Sequence, residues 1–135
     1  MIEAFEGYKT AVFAKDVEAF LSLYDKDVRV FDLWGDWFSE GIEALRKGVT
    51  GWFGSLGTDT VAASFGNIQT TVSGDLAMAT AFTTYRGLSA EGKELRSMQN
   101  RLTWGLQRRN GVWKIIHEHT SAPVDPETTK AILKP

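Results

Sequence analysis

Arg101-Leu102-Thr103-Trp104-Gly105-Leu106-Gln107-Arg108-Arg109, then Asn110-Gly111, then Val112-Trp113-Lys114-Ile115-Ile116-His117-Glu118-His119-Thr120-Ser121 is the stretch that decides the fold. Two alternating runs meet at Asn-Gly, the dipeptide that best suits the positive φ angles of a two-residue hairpin turn. With Asn110 and Gly111 as the loop, Arg109 pairs with Val112 and Arg108 with Trp113. Unbroken register then sets Leu106 against Ile115, Trp104 against His117 and Leu102 against His119. Side chains alternate between faces along a strand. One face therefore carries Leu102, Trp104, Leu106, Trp113, Ile115, His117 and His119, a core face holding both histidines of the chain. The other carries Arg101, Thr103, Gln107, Arg109, Lys114 and Glu118, with Ile116 as its one large apolar residue.

Working outward, Ile2, Phe5, Tyr8 and Val12 recur at helical spacing over residues 2–14. Asp16 suits the N-cap of a short second helix with Val17, Phe20, Leu21 and Tyr24 as its apolar stripe. Val28 to Asp32 reads as a strand with Val28, Val30 and Asp32 on one face. An aromatic, glycine-broken segment follows, Leu33 to Phe38. Ser39 or Gly41 opens a third helix with Ile42, Leu45, Val49, Trp52 and Phe53 on its apolar side, and Gly54 and Gly57 end it. From Thr60 the chain turns strand-like: Thr60–Val72, Leu76–Leu88, Glu94–Arg109 and Val112–Ser121, separated by turn residues. Helices segregated from a meandering antiparallel sheet define an α+β domain. Strands this long must twist, and a cone-shaped sheet wrapped around the N-terminal helices leaves an internal pocket. Residues 1–135 form one domain, with 123–135 as a polar C-terminal tail.

The composition narrows the function. At 135 residues, 43% hydrophobic and 24% charged, the chain has a globular balance and enough length for a sizeable core. The formal charge is −2 and no basic cluster is interleaved with aromatics, which argues against nucleic acid. The absence of cysteine excludes disulfides and thiolate chemistry. No apolar run approaches a membrane span, so a soluble, cytoplasmic protein is expected. Five Trp and eight Phe exceed what a small core needs, and some are expected to line a pocket.

The order of elements and three local matches resemble the nuclear transport factor 2-like superfamily, the cone-shaped fold of ketosteroid isomerase and the SnoaL-like proteins. Arg108-Arg109-Asn110-Gly111, Trp113 and His117 to Pro123 are similar to the end of the calcium/calmodulin-dependent kinase II association domain. Val30-Phe31-Asp32-Leu33-Trp34-Gly35 resembles the isomerase segment whose Asp is the general base, and Tyr8, eight residues before Asp16, resembles the isomerase tyrosine that hydrogen-bonds the substrate oxyanion. The chain departs from both patterns. Thr103 stands where the isomerase has a second oxyanion donor, and the association domain's pocket arginines fall near Thr83 and Trp104. The resemblance thus implies the fold and neither specific chemistry.

The resemblance makes Asp32 the candidate base, against its alternative as a turn cap. His119 is the candidate general acid or orienting partner and Tyr8 a hydrogen-bond donor; either is also compatible with a core role. A strand His-x-His can be half of a metal site, but a third ligand would have to come from elsewhere, with Asp32 the candidate, and no metal or cofactor is assigned. Trp34, Trp37, Trp52, Phe53, Asn100, Trp104 and His117 are the candidate ligand-binding residues. Two functions follow. One is binding of a small apolar molecule with cofactor-free acid/base chemistry of isomerase, hydratase/lyase or cyclase type. The other is a non-catalytic oligomerisation or adaptor module like the kinase association domain. In either case a homodimer through the outer sheet face around Ile116 is expected.

Overall fold

The structure, a computed structural model, describes residues 1–135. The elements run α1 (Ile2–Ala14), α2 (Val17–Leu21), β1 (Tyr24–Phe31), β2 (Ser39–Glu40), α3 (Ile42–Ser55), β3 (Thr60–Ser73), β4 (Leu76–Leu88), β5 (Glu94–Arg109) and β6 (Val112–Ser121). The strands form one six-stranded sheet in the order β2-β1-β6-β5-β4-β3. The α+β architecture is the expected one, with one amendment. β1 runs parallel to β6, so the sheet is mixed rather than antiparallel. The helical crossover of α3 between β1 and β3 allows it, because β1 joins the far edge of the four-strand meander and not its neighbour in sequence.

α1 buries Ala4, Phe5, Tyr8, Ala11 and Val12, a single stripe one to four residues apart, against the inner face of the sheet. Phe5 packs on Trp104 (ring centroids 4.6 Å) and Phe65 (4.9 Å), and Tyr8 on Phe65 (5.5 Å). Lys15 ends the helix in the left-handed conformation, with its N–H donated to the Val12 carbonyl and that of Asp16 to Ala11. Asp16 then caps α2 as expected, its Oδ1 accepting from the Ala19 N–H at 3.0 Å. Val12, Val28, Trp104, Leu106 and Ile115 are fully buried where helices and sheet meet, and each of these side chains contributes roughly 1.5–3 kcal/mol through burial.

The terminal hairpin corrects the sequence reading. Asn110 (φ 52°) and Gly111 (φ 78°) make the expected turn, and Arg109–Val112, Arg108–Trp113 and Leu106–Ile115 pair as expected. Ile116 is then left without a partner in a β-bulge. Gly105 pairs with His117, Trp104 with Glu118, Thr103 with His119 and Leu102 with Thr120. One extra residue inverts every later side chain. Glu118 and Thr120 point inward and are buried, whereas His117 and His119 lie on the outer face. The concave side of the sheet and the helices α2 and α3 enclose a cavity of about 680 Å³.

The last residues fold back beside the sheet. Val124 and Ala131 form a bridge, and the Leu133 carbonyl accepts from the Gln99 N–H of β5 at 2.7 Å. No helix is long and apolar enough to cross a membrane.

Candidate functional site

The cavity floor is built around Glu118. Its Oε1 accepts two hydrogen bonds, from the Tyr24 hydroxyl at 2.6 Å and from Trp104 Nε1 at 2.9 Å. Its other oxygen receives none from the protein, and Glu118 lines the cavity. Burial pushes its carboxyl above the usual carboxylate range. The Tyr24 and Trp104 hydrogen bonds pull the other way, and the negative charge of Asp32 adds to the rise. Burial, together with the charge of Glu118, also holds Tyr24 well above the usual phenol range.

Beside the carboxyl stands a pair of phenols. Tyr8 from α1 and Tyr85 from β4 share a hydrogen bond of 2.8 Å between their hydroxyls, and both line the cavity. Burial raises both pKa values, so each hydroxyl keeps its proton and remains a donor at neutral pH. Asn100 is buried on the inner row of β5 and lines the same space. Its Oδ1, like Oγ1 of its cross-strand partner Thr83, has no hydrogen-bond partner in the protein. A buried acceptor without a partner is costly unless a water or ligand supplies one.

Asp32 follows directly on β1. The Thr120 hydroxyl donates to its Oδ1 at 2.8 Å and accepts the Leu33 N–H at 2.8 Å, so one β6 side chain ties both residues of the loop to the sheet. Asp32 is exposed at the mouth of the cavity, alongside Trp34, Asp36 and Phe38 of the same loop. α3 presents Leu45, Val49 and Trp52 as the wall, three to four residues apart on one helix face. The glycine at 48 leaves open space on that face, since a Cβ there would meet nothing within 4 Å.

The residues singled out from sequence divide accordingly. Asp32, Tyr8, Trp34, Trp52 and Asn100 line the cavity. Phe53 and Trp104 belong instead to the packed core, although the Trp104 indole reaches Glu118. Trp37 is 94% exposed and borders a second, more open cleft of about 480 Å³, lined also by Phe31 and His119, which adjoins the first cavity through Asp32, Asp36 and Thr120. His119 and His117 are on the convex side, edge-on to the Phe31 ring at 5.5 and 5.0 Å. His117 Nδ1 donates to the Arg29 carbonyl at 2.7 Å, which joins β6 to β1. The bulge at Ile116 is the physical reason that neither histidine enters the cavity. The sequence reading missed Glu118, Tyr24, Tyr85 and Thr120. A buried Trp indole needs an acceptor. With Glu118 one residue from the position assigned opposite Trp104, that need was the one available hint of a slipped register.

A curved sheet around N-terminal helices, with an acid-bearing conical cavity, defines a protein of the nuclear transport factor 2-like, cystatin-like class. The model of the SnoaL-like domain family matches residues 2–125, and the chain belongs to that family. An NTF2-like protein of unknown function from Pseudomonas putida KT2440 is 29% identical, with a TM-score of 0.86 over 99% of this chain and 93% of that one. A proposed calcium/calmodulin dependent protein kinase II association domain from Xanthomonas campestris is 20% identical (TM-score 0.75; 94% and 87% covered). A proposed aromatic ring hydroxylase from Novosphingobium aromaticivorans is 21% identical (TM-score 0.68; 89% and 84% covered). The latter two likenesses are of fold. No curated protein matches the sequence.

Proposed function

We propose that the chain binds a small, largely apolar carbonyl compound in the cavity and moves a proton on it by cofactor-free acid/base catalysis. The observation that carries this reading is the buried Glu118 carboxyl, with one oxygen tied to Tyr24 and Trp104 and the other free in an aromatic cavity. A carboxyl raised by burial retains its proton closer to neutrality and can donate it. Asp32, its Oδ1 held by Thr120, takes the proton α to the carbonyl. Glu118 gives its proton to the carbonyl oxygen as that oxygen becomes an enol, with the Tyr8–Tyr85 pair as further donors beside it. The reverse steps return a proton to carbon. This reading assigns the acid to Glu118 where the sequence suggests His119, and pairs two carboxyls whose surroundings differ, one buried and one at the mouth.

The test uses 2-tetralone, a neutral bicyclic ketone with acidic α-hydrogens. Binding is followed by tryptophan fluorescence, since Trp34 and Trp52 line the cavity. Proton NMR in D2O follows exchange of the α-hydrogens. The wild type is expected to accelerate exchange, and Asp32→Asn and Glu118→Gln each to lose about 10²–10⁴-fold of it. No fluorescence change and no acceleration over buffer would sink the proposal.

A second reading, a non-catalytic oligomerisation module, is favoured by one observation. Leu76, Met78 and Phe82 stand about half exposed in a row along the outer side of β4. A dimer that binds none of the ketones would support that reading over the first.

A further inference from the structure

Arg96 is the one cationic side chain lining the cavity, and the acid/base chemistry proposed above does not use it. It lies on the inner row of β5 with Met98 and Asn100, directly across from Gly87 of β4. Gly87 is buried, and its φ lies outside the left-handed range that demands glycine. What the missing side chain provides is space. A Cβ on Gly87 would lie 3.0 Å from Arg96 Cζ, 3.1 Å from Cγ and 3.2 Å from Nε. The arginine side chain therefore lies flat across the glycine, so close that a Cβ there would make the guanidinium shift by a few tenths of an ångström.

The guanidinium resting there makes no hydrogen bond, a state it shares with Arg29 and Arg86, which lie outside the cavity. Arg46, Arg101, Arg108 and Arg109 each donate side-chain hydrogen bonds within the protein. Arg96 donates none. Its nearest anion is Asp59 Oδ2 at 3.9 Å, and the side chain is 59% exposed. A planar fork of donors that makes no hydrogen bond, and only a long ion-pair contact to Asp59, suits a carboxylate at the rim of an apolar cavity, which it can bind through two parallel hydrogen bonds. Of the acids of the cavity, Glu118 of β6 is buried at the floor and Asp32 and Asp36 stand at the mouth on the loop after β1, so Arg96 is the one lining group that attracts an anionic end. A ligand with one anionic end thus has one favoured orientation. Four residues of strand, about 13 Å between Cα atoms, separate Arg96 from Asn100 at the inner end. Allowing about 3 Å for a hydrogen bond at each end leaves roughly 7 Å, the length of two fused rings.

We propose that Arg96, laid across Gly87, binds the carboxylate of an amphipathic substrate: an apolar body about two rings long, with its carbonyl at the floor and its carboxylate at the mouth. This specificity rests on the acid/base reading of the same cavity and is tested separately from it. The probes are a 2-tetralone carrying a carboxylate on the aromatic ring at the end away from the ketone, and the corresponding carboxamide. Tryptophan fluorescence titrations give both dissociation constants. The acid is expected to bind the wild type about tenfold more tightly than the amide, with the preference shrinking at 1 M salt because the site is partly exposed. Arg96→Gln removes the preference, with acid binding falling about tenfold more than amide binding. Gly87→Ala keeps the charge but displaces the guanidinium from its present position, and is expected to weaken the preference less than Arg96→Gln does. Equal binding of acid and amide by the wild type, or a preference that survives Arg96→Gln, overturns the assignment of Arg96 while amide binding leaves the acid/base reading standing. If neither these compounds nor 2-tetralone bind, the underlying reading falls and the specificity falls with it.

Discussion

Tyr24→Phe removes one hydroxyl and no volume, which isolates the hydrogen bond on which the floor of the cavity depends. That hydroxyl donates to Glu118 Oε1 at 2.6 Å in a fully buried setting. A hydrogen bond to an ionised group contributes about 1.5–3 kcal/mol net, and one between neutral groups about 0.5–1.5 kcal/mol. Which value applies depends on pH. Burial raises the Glu118 pKa on folding. A carboxyl raised in this way supports the fold fully below its unfolded pKa, and that support is lost as pH rises through the folded pKa. Tyr24 is one of the groups holding the pKa down, so its removal raises the pKa further and deepens the loss at high pH. The deficit of Tyr24→Phe should therefore be small at pH 4, on the order of 1 kcal/mol, and grow toward about 2–3 kcal/mol once Glu118 ionises. For a chain of this length 1 kcal/mol corresponds to roughly 3–4 °C in Tm. Thermal unfolding of wild type, Tyr24→Phe, Glu118→Gln and the double variant at pH 4 and pH 8 completes a double-mutant cycle. In the Glu118→Gln background the pH dependence of the tyrosine effect should vanish, because the amide does not titrate. A Tyr24→Phe deficit that is the same at both pH values and in both backgrounds would refute the reasoning, since Glu118 would then not be a charge held by Tyr24.

Three further outcomes are expected. His119→Ala, which removes a side chain from the convex face, should leave 2-tetralone binding and exchange within about twofold of wild type; a loss comparable to that of Asp32→Asn would show that the bulge at Ile116 is misplaced. Thr120→Val, nearly isosteric, frees both Asp32 Oδ1 and the Leu33 N–H and should cost about 1–2 kcal/mol of stability, with a larger proportional fall in exchange rate than in binding when the variant is titrated and assayed with the same ketone. A homodimer through the outer sheet face is the proposed assembly, and Met78→Glu, on the half-exposed row of β4, should shift the light-scattering mass toward the monomer at about 10 µM; a wild type that is already monomeric there would dismiss the dimer.

Most of the fold is legible in the sequence because it depends on patterns that repeat. The stripe of α1, the Asp16 cap, the Asn110-Gly111 turn and the long alternating strands each state their geometry several times over. The candidate site is legible only on one wall. Asp32, Tyr8, Trp34, Trp52 and Asn100 reach the cavity because their orientation follows from an element read correctly from end to end. The other wall rests on a single inserted residue. Ile115-Ile116-His117-Glu118-His119 offers apolar or aromatic side chains on both registers, so periodicity cannot say which residue is the extra one. Tertiary partners decide it. With Ile116 bulged, the Trp104 indole and the Tyr24 hydroxyl both find the Glu118 carboxylate, and His117 sits across from Gly105 on the outer face. Without the bulge, Glu118 would face outward, and the buried indole and phenol would have to find acceptors elsewhere. The same bulge delivers Thr120 to the inner face, where it holds Asp32. The position of both carboxyls thus depends on one residue that local sequence leaves ambiguous, and deleting Ile116 should restore the unbroken alternation of β6. Glu118 and Thr120 would then turn outward together, and a deletion variant that still folds should lose most α-hydrogen exchange, while one that keeps it in full would show that Glu118 takes no part.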